Sequence, residues 1–329
     1  MKPKLIGLLI MCLAGVGLVW GQETITIDPG ENQISATIAA GGIYAGDILE
    51  LNEGVFTETD TVATPNFRIT IRGAEGATVK WIVPDSVDAL YACGDLIVEN
   101  IIFETDTTTP WIYMPSPSTG EDSLAATANS NYGISVHATD PINVFVDQCQ
   151  FIGFGMAIFA DDVGCAGGVC TLDTLQVTNS LIYGGPRYKT GMGICTRYGT
   201  SNVLIVENCT FWKIEGESMR CYGPEFAPND WKAYIDHCTF ADAGYPDPSQ
   251  GYPELHPTGD GLGIYFKYTS ADDIIQNCIF YDISDFAIAE TSFNPYMLQS
   301  GNCSDPVKKL VWKCCMPDIF SEKFERALH

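Results

Sequence analysis

Apolar residues recur along this chain in short alternating runs separated by a polar bend, and the bend itself repeats. ENCTF at 207–211 has near copies in ENIIF at 99–103, DQCQF at 147–151, DHCTF at 236–240 and QNCIF at 276–280. Aligned on the last residue of the motif, Phe103, Phe151, Ile182, Phe211, Phe240 and Phe280 form one column, at spacings of 48, 31, 29, 29 and 40. A period near 30 that stretches by insertion without losing phase is the mark of a solenoid. Before each aromatic stand a polar residue (Asn100, Gln148, Asn179, Asn208, His237, Asn277) and then a small or aliphatic one (Ile101, Cys149, Ser180, Cys209, Cys238, Cys278). In LIVENCTF the apolar run at 203–206 predicts a strand, and Asn208 predicts a sharp bend whose amide bonds the backbone of the next coil. Cys209 and Phe211 then point inward at period two.

A second strand is predicted after each corner: YGISV at 132–136, GMAIFA at 155–160, GMGICT at 191–196, ESMRCY at 217–222, GLGIYF at 261–266 and DFAIAE at 285–290. A small residue before a buried Ile suits a tight inner layer. Six coils can be placed in this way, with insertions at 104–131 and 241–259. Stacked at about 4.8 Å per layer, such coils line like residues up as ladders.

These corners and strands make the chain resemble the right-handed parallel β-helix, or pectin lyase-like, superfamily. ITIDPGENQISATIAA, AGDILELNEGVFTE and FRITIRGAEGATVKW are similar to the amphipathic N-terminal cap and first coils of such proteins. The resemblance covers roughly residues 23 to 303. It implies an all-β solenoid occupying 23–305 as one domain, and it does not imply one activity, because the fold carries lyases, hydrolases, epimerases and adhesins.

The two ends differ from this repeat. Residues 1–22 put Lys2 and Lys4 before an apolar run that ends on small residues, the pattern of a signal peptide. The run is too short to span a bilayer, and no later segment approaches the roughly 18 apolar residues that a span needs. An exported protein is therefore expected: secreted, periplasmic or at the cell surface, without a membrane span, and a monomer. Residues 306–329 lack the corner motif and hold 5 of the 15 basic residues left after cleavage; they read as a capping helix or as a truncated end.

Charge narrows the partners. Fifteen basic residues against 41 acidic ones leave the mature chain at about −26, a poor surface for nucleic acid or anionic membranes. Twelve cysteines remain, and Cys165 with Cys170 in GCAGGVC is the best local disulfide pair. Zinc is not expected, since no CxxC pair occurs and the four histidines are scattered. Gly-rich stretches such as GMGICTRYG neither run from a strand into a helix nor carry a phosphate-loop Lys, so a nucleotide enzyme is not supported.

Candidate chemistry lies on the second strands. Unbroken alternation places Ser135, Phe159, Cys195, Arg220, Tyr265 and Ala289 outward, and then His137, Asp161, Arg197, Tyr222, Lys267 and Thr291. No Lys or Arg occurs from 81 to 186; Arg197, Arg220 and Lys267 then fall on the outward face of three coils. Cations about 5 Å apart repel by roughly 3 kcal/mol at an effective dielectric near 20, so an anion between them is expected. A uronate carboxylate, and so an acidic polysaccharide, is the natural candidate. This region resembles the chondroitinase B and alginate lyase type of polysaccharide lyase. That resemblance implies β-elimination, with calcium holding the carboxylate and Lys and Arg as base and acid. It makes Arg220, Lys267 and Arg197 the candidate catalytic residues, and Glu215 and Glu217 the candidate calcium ligands. Phe159, Tyr222, Tyr265 and His137 are the candidate sugar contacts.

Competing readings stand beside these. Arg220 and Glu217 would equally make an ordinary surface ion pair, worth under about 1 kcal/mol. The aromatics would equally extend packing, and the chain would then be a non-catalytic surface or adhesive β-helix. YIDH at 234–237 looks like a stretch of pectate lyases, but the corner column already explains it. Asp161 and Asp162 are similar to the paired carboxylates of polygalacturonases, whose companion motifs are absent, and His256 lies in an insertion.

Overall fold

From the second coil on, each apolar run forms a strand that pairs in parallel not with its sequence neighbour but with the third strand along, so three strands make one turn of a coil. The computed structural model describes residues 22–105, 131–138, 140–160, 172–184, 191–196, 201–222, 232–244, 262–267, 273–283 and 286–291. Sheet A has nine strands, from Thr24–Ile27 to Ile274–Gln276. Sheet B also has nine, from Gly30–Glu31 to Ile279–Ile283, and sheet C has eight, from Val62–Ala63 to Phe286–Thr291. This is a parallel β-helix, as the repeat predicts.

Sheet C is one strand short because the helix Gln33–Ala40 takes its place in the first coil. Ile34 of that helix is fully buried. The buried carboxylate of Glu58, from the next coil, accepts the amides of Ile34 at 2.8 Å and Ser35 at 3.4 Å. A negative charge thereby meets the exposed donors and positive end of the helix. The expected cap is this helix.

The predicted aromatic column is the interior of sheet B, and it begins two coils earlier than the motif does. Phe56, Trp81, Phe103, Phe151, Ile182, Phe211, Phe240 and Phe280 follow one another in register. Rings stack at 5.1 Å for Phe103 with Phe151, 4.8 Å for Phe211 with Phe240 and 4.9 Å for Phe240 with Phe280. The small residues of sheet C face these rings. A Cβ on Gly193 would lie 2.4 Å from the Ser218 carbonyl oxygen and 2.8 Å from the Phe211 ring, and one on Gly133 would meet Phe151 at 2.6 Å.

Corner residues Asn100, Gln148, Asn179, Asn208, His237 and Asn277 all adopt left-handed backbone, with φ between 50° and 55°. Asn tolerates this region better than most L-residues, because its short amide bonds locally. Only part of the expected bonding is seen. Asn100 Nδ2 donates to the Ala74 carbonyl at 3.2 Å, whereas Asn208, Asn179 and Asn277 donate to side chains of the preceding coil: Asn179 at 2.7 Å, Asp147 at 2.7 Å and Asp236 at 2.9 Å. A second left-handed corner, between sheets B and C, is formed by Gly153, Lys213, Asp242 and Asp282. No residue type announces it in the sequence.

Cys149, Cys209, Cys238 and Cys278 line the first corner as free thiols, each 3.1–3.3 Å from the carbonyl two residues before it. Burial pushes the Cys149 thiol up to about 12, so these sulfurs act as small core residues. Cys165 and Cys170 lie outside the described residues, as do 306–329. In the last coil Phe280, Cys278, Ile283 and Ile288 are only partly buried against the core.

Candidate functional site

The site is the outer face of sheet C. Ser135, Phe159, Cys195, Arg220, Tyr265 and Ala289 are in register on consecutive strands, as the alternation predicts. The alternation is not unbroken, however. Ala157 and Ile158 both turn into the core, because a small residue and its Ile share the inner face beneath the aromatic rings. This phase slip adds a third outward column, Tyr132, Met156, Met192, Glu217 and Leu262.

The outward columns are not open to solvent in the middle coils. Ser135, Phe159, Cys195 and Arg220 are 1, 4, 1 and 6% exposed. Phe159 therefore offers no free face for a sugar: its ring stacks on Tyr132 at 4.3 Å, in a cluster with Met156, Met192 and Cys195. Arg220 and Glu217 are paired, but not at the surface. Two parallel hydrogen bonds join them, from Nε to Oε2 and from Nη2 to Oε1, the latter 2.6 Å long, and Glu217 is 3% exposed. The Tyr265 ring, half-buried, lies 5.8 Å from the Arg220 guanidinium carbon. A covered pair of this kind is costly to break from one side, by about 3–5 kcal/mol.

Glu215 precedes Glu217 on the corner that enters the strand. It is half-buried, and burial pushes its carboxyl up to about 7. Both Glu217 oxygens accept a hydrogen bond from Arg220. Among the described residues no three His, Cys, Asp or Glu side chains converge as a metal site. Tyr222 and Lys267 are in register with each other on adjacent strands, and their side chains lie outside the described residues. Arg197, Asp161, Asp162 and His256 also lie outside them.

On the strand before that of Ser135, two before that of Phe159, the same face carries Tyr91, which the motif alignment missed, beside the predicted Ser135 and His137. Tyr91, on strand Leu90–Ala92, is in register with Ser135, and the His137 ring stacks on Tyr91 at 3.9 Å. Ser135 Oγ and His137 Nε2 share a hydrogen bond of 3.0 Å. Asp88 accepts the Tyr132 amide at 2.7 Å, and burial pushes its carboxyl up to about 6. The strand of Tyr91 is not preceded by the corner motif; alignment on sheet C alone would have found it. Tyr234 and Asp236 of YIDH belong to sheet A, joined by a 2.8 Å bond, and serve the ladder there.

No protein-family model matches the chain, and no curated protein matches it. Solved structures do. A PL6 family alginate lyase, AlyGC, superposes with a TM-score of 0.54 at 15% identity, covering 83% of this chain and 39% of that one. A point mutant of the same enzyme gives 0.54 at 13% identity, covering 84 and 38%. This chain thus spans about 39% of the length of the enzyme it matches, and at that identity the likeness is one of fold: both are parallel β-helices. No helix among the described residues is long and apolar enough to cross a membrane.

Proposed function

We propose that this chain is an exported protein that binds a uronate-containing polysaccharide along the outer face of sheet C and cleaves it by β-elimination. The observation that carries the reading is the Arg220–Glu217 pair beside Tyr265, a covered cation on the face of a β-helix whose fold is that of an alginate lyase. Elimination needs a cation to neutralise the carboxylate, a base for the proton beside it, and a proton for the leaving oxygen. Arg220 supplies the first. Lys267, one strand along, is the base in this reading, and Glu215, which keeps its proton up to about pH 7, is the donor. The abstracted proton goes to the neutral amine, its electron pair becomes the new carbon–carbon double bond, and the leaving oxygen departs with the pair and takes the Glu215 proton. Arg197 extends the cationic side, and Tyr222 and Tyr265 contact the sugar.

Incubation with alginate, pectate and chondroitin tests this through the ultraviolet absorbance of unsaturated uronate ends. A rise is expected with at least one polymer. It should fall at least about a hundredfold in Lys267→Ala and in the charge-free pair Glu217→Gln with Arg220→Met. No rise on any of the three defeats cleavage. A second reading, the non-catalytic adhesive β-helix, is favoured by the mutual satisfaction of Arg220 and Glu217 under cover, and it predicts polymer binding without absorbance change.

A further inference from the structure

The outer face of sheet C is polar at two places and apolar between them. At one place stand Glu217, Arg220 and Tyr265. At the other stand Asp88, Tyr91, Ser135 and His137. Tyr132, Met156, Phe159, Met192 and Cys195 form the floor between. Ser135 and Arg220 are in one column three strands apart, a span of about 14 Å at the usual spacing of strands.

The second group combines a contact between coils, from the Tyr132 amide to Asp88, with side chains that stand outside the core. None of its members belongs to the core, yet Asp88 and Ser135 are 9 and 1% exposed. A carboxyl kept from water in this way costs stability, and burial pushes it up to about 6. Beside it stand two half-exposed rings, Tyr91 and His137. Ser135 holds the His137 imidazole, and the His137 and Tyr91 rings stack on each other. The product is a rigid slab with apolar faces and a polar rim, complementary to a pyranose, whose ring is apolar across its C–H face and polar around its edge.

Resting on the polysaccharide reading above, we propose that Tyr91 and His137, stacked on each other and with His137 held by Ser135, form a second sugar subsite, three strands from Arg220 at His137 and four at Tyr91. The ligand is then a linear polysaccharide that runs along the outside of sheet C from one place to the other, without touching the covered side chains between them. A uronate carboxylate meets Arg220, and the hydroxyl rim of a residue further along meets the Tyr91–His137 slab.

Calorimetric titration with size-fractionated oligomers of alginate, pectate and chondroitin tests the subsite. Wild type should bind oligomers long enough to span both places about tenfold more tightly than di- and trisaccharides. Tyr91→Ala and His137→Ala should lose that increment and keep the affinity for the short oligomers. The gentler Tyr91→Phe and His137→Gln, which spare the packing, should lose part of it. The double variant Glu217→Gln with Arg220→Met should weaken short and long oligomers alike. A length increment that survives in folded His137→Gln and Tyr91→Phe overturns the subsite while leaving the Arg220 reading intact. Failure of wild type to bind any oligomer of any length overturns both.

Discussion

Sheets A and C present carboxyl groups to the outside of the same coil, and the two faces treat them in opposite ways. On sheet A the column Glu50, Arg72, Glu99, Asp147, Thr178, Glu207, Asp236, Gln276 runs in register along the whole helix. Its acids are met by donors. Asp147 accepts Thr178 at 2.6 Å and Asn179 at 2.7 Å. Asp236 is raised by desolvation, but bonds from Asn277, Tyr234 and Gln276 outweigh that and hold its carboxyl at about 2. On sheet C, Asp88 and Glu215 are pushed up to about 6 and about 7 by burial, and Glu217 is cancelled by Arg220. Side-chain donors thus hold Asp236 ionised down to about pH 2, whereas burial moves Asp88 and Glu215 into the range where they begin to take up protons near neutral pH.

The largest effect should come from breaking the covered pair of sheet C. Arg220→Ala leaves Glu217 buried and uncompensated, and should lower the unfolding free energy by about 3–5 kcal/mol in a denaturant titration. Glu217→Gln with Arg220→Met should recover most of it. A loss below about 1 kcal/mol in the single variant is what a surface pair would give, and would erase the difference between the faces.

Next come opposite pH signatures. Glu215 has a folded pKa of about 7 against an ordinary 4.5, so between those values the folded state holds more protons and stability falls as pH rises. Glu215→Gln should gain on wild type across that window and match it below. Asp236, at about 2 against 3.8, contributes stability that is present above the ordinary value and disappears as pH falls toward 2. Asp236→Asn should flatten that acid limb. Thermal melts from pH 2 to 8 report both, and two variants with the same slope would remove the contrast.

The smallest effect concerns the corner that orders both faces. Asn208 has φ of 53° and gives an amide hydrogen to Asn179. Asn208→Ala should cost about 1 kcal/mol through left-handed strain, and Asn208→Gly less. Equal costs for the two would locate the role of Asn208 in its side-chain ladder instead.

What could be read from the chain was what repeats. The columns of Phe103 to Phe280 and of Ser135 to Ala289 are where the motif spacing puts them, since parallel register follows directly from a conserved position within each coil. Phe56, Trp81 and Tyr91 escaped because their coils lack the polar corner followed by an aromatic. The phase slip at Ala157 and Ile158 escaped too, since nothing local distinguishes it from alternation.

By itself, then, the order of residues determined the coil, its corners and the stacking of like upon like, all of which depend on local bend preference and a period. Which outward side chains meet water was decided only by the tertiary structure. The neighbours of Arg220 on the outer face come from strands 25 or more positions away, such as that of Cys195 and that of Tyr265. Burial, and with it the charge state of Asp88, Glu215 and Asp236, is a property of those distant neighbours and not of the residue or its motif.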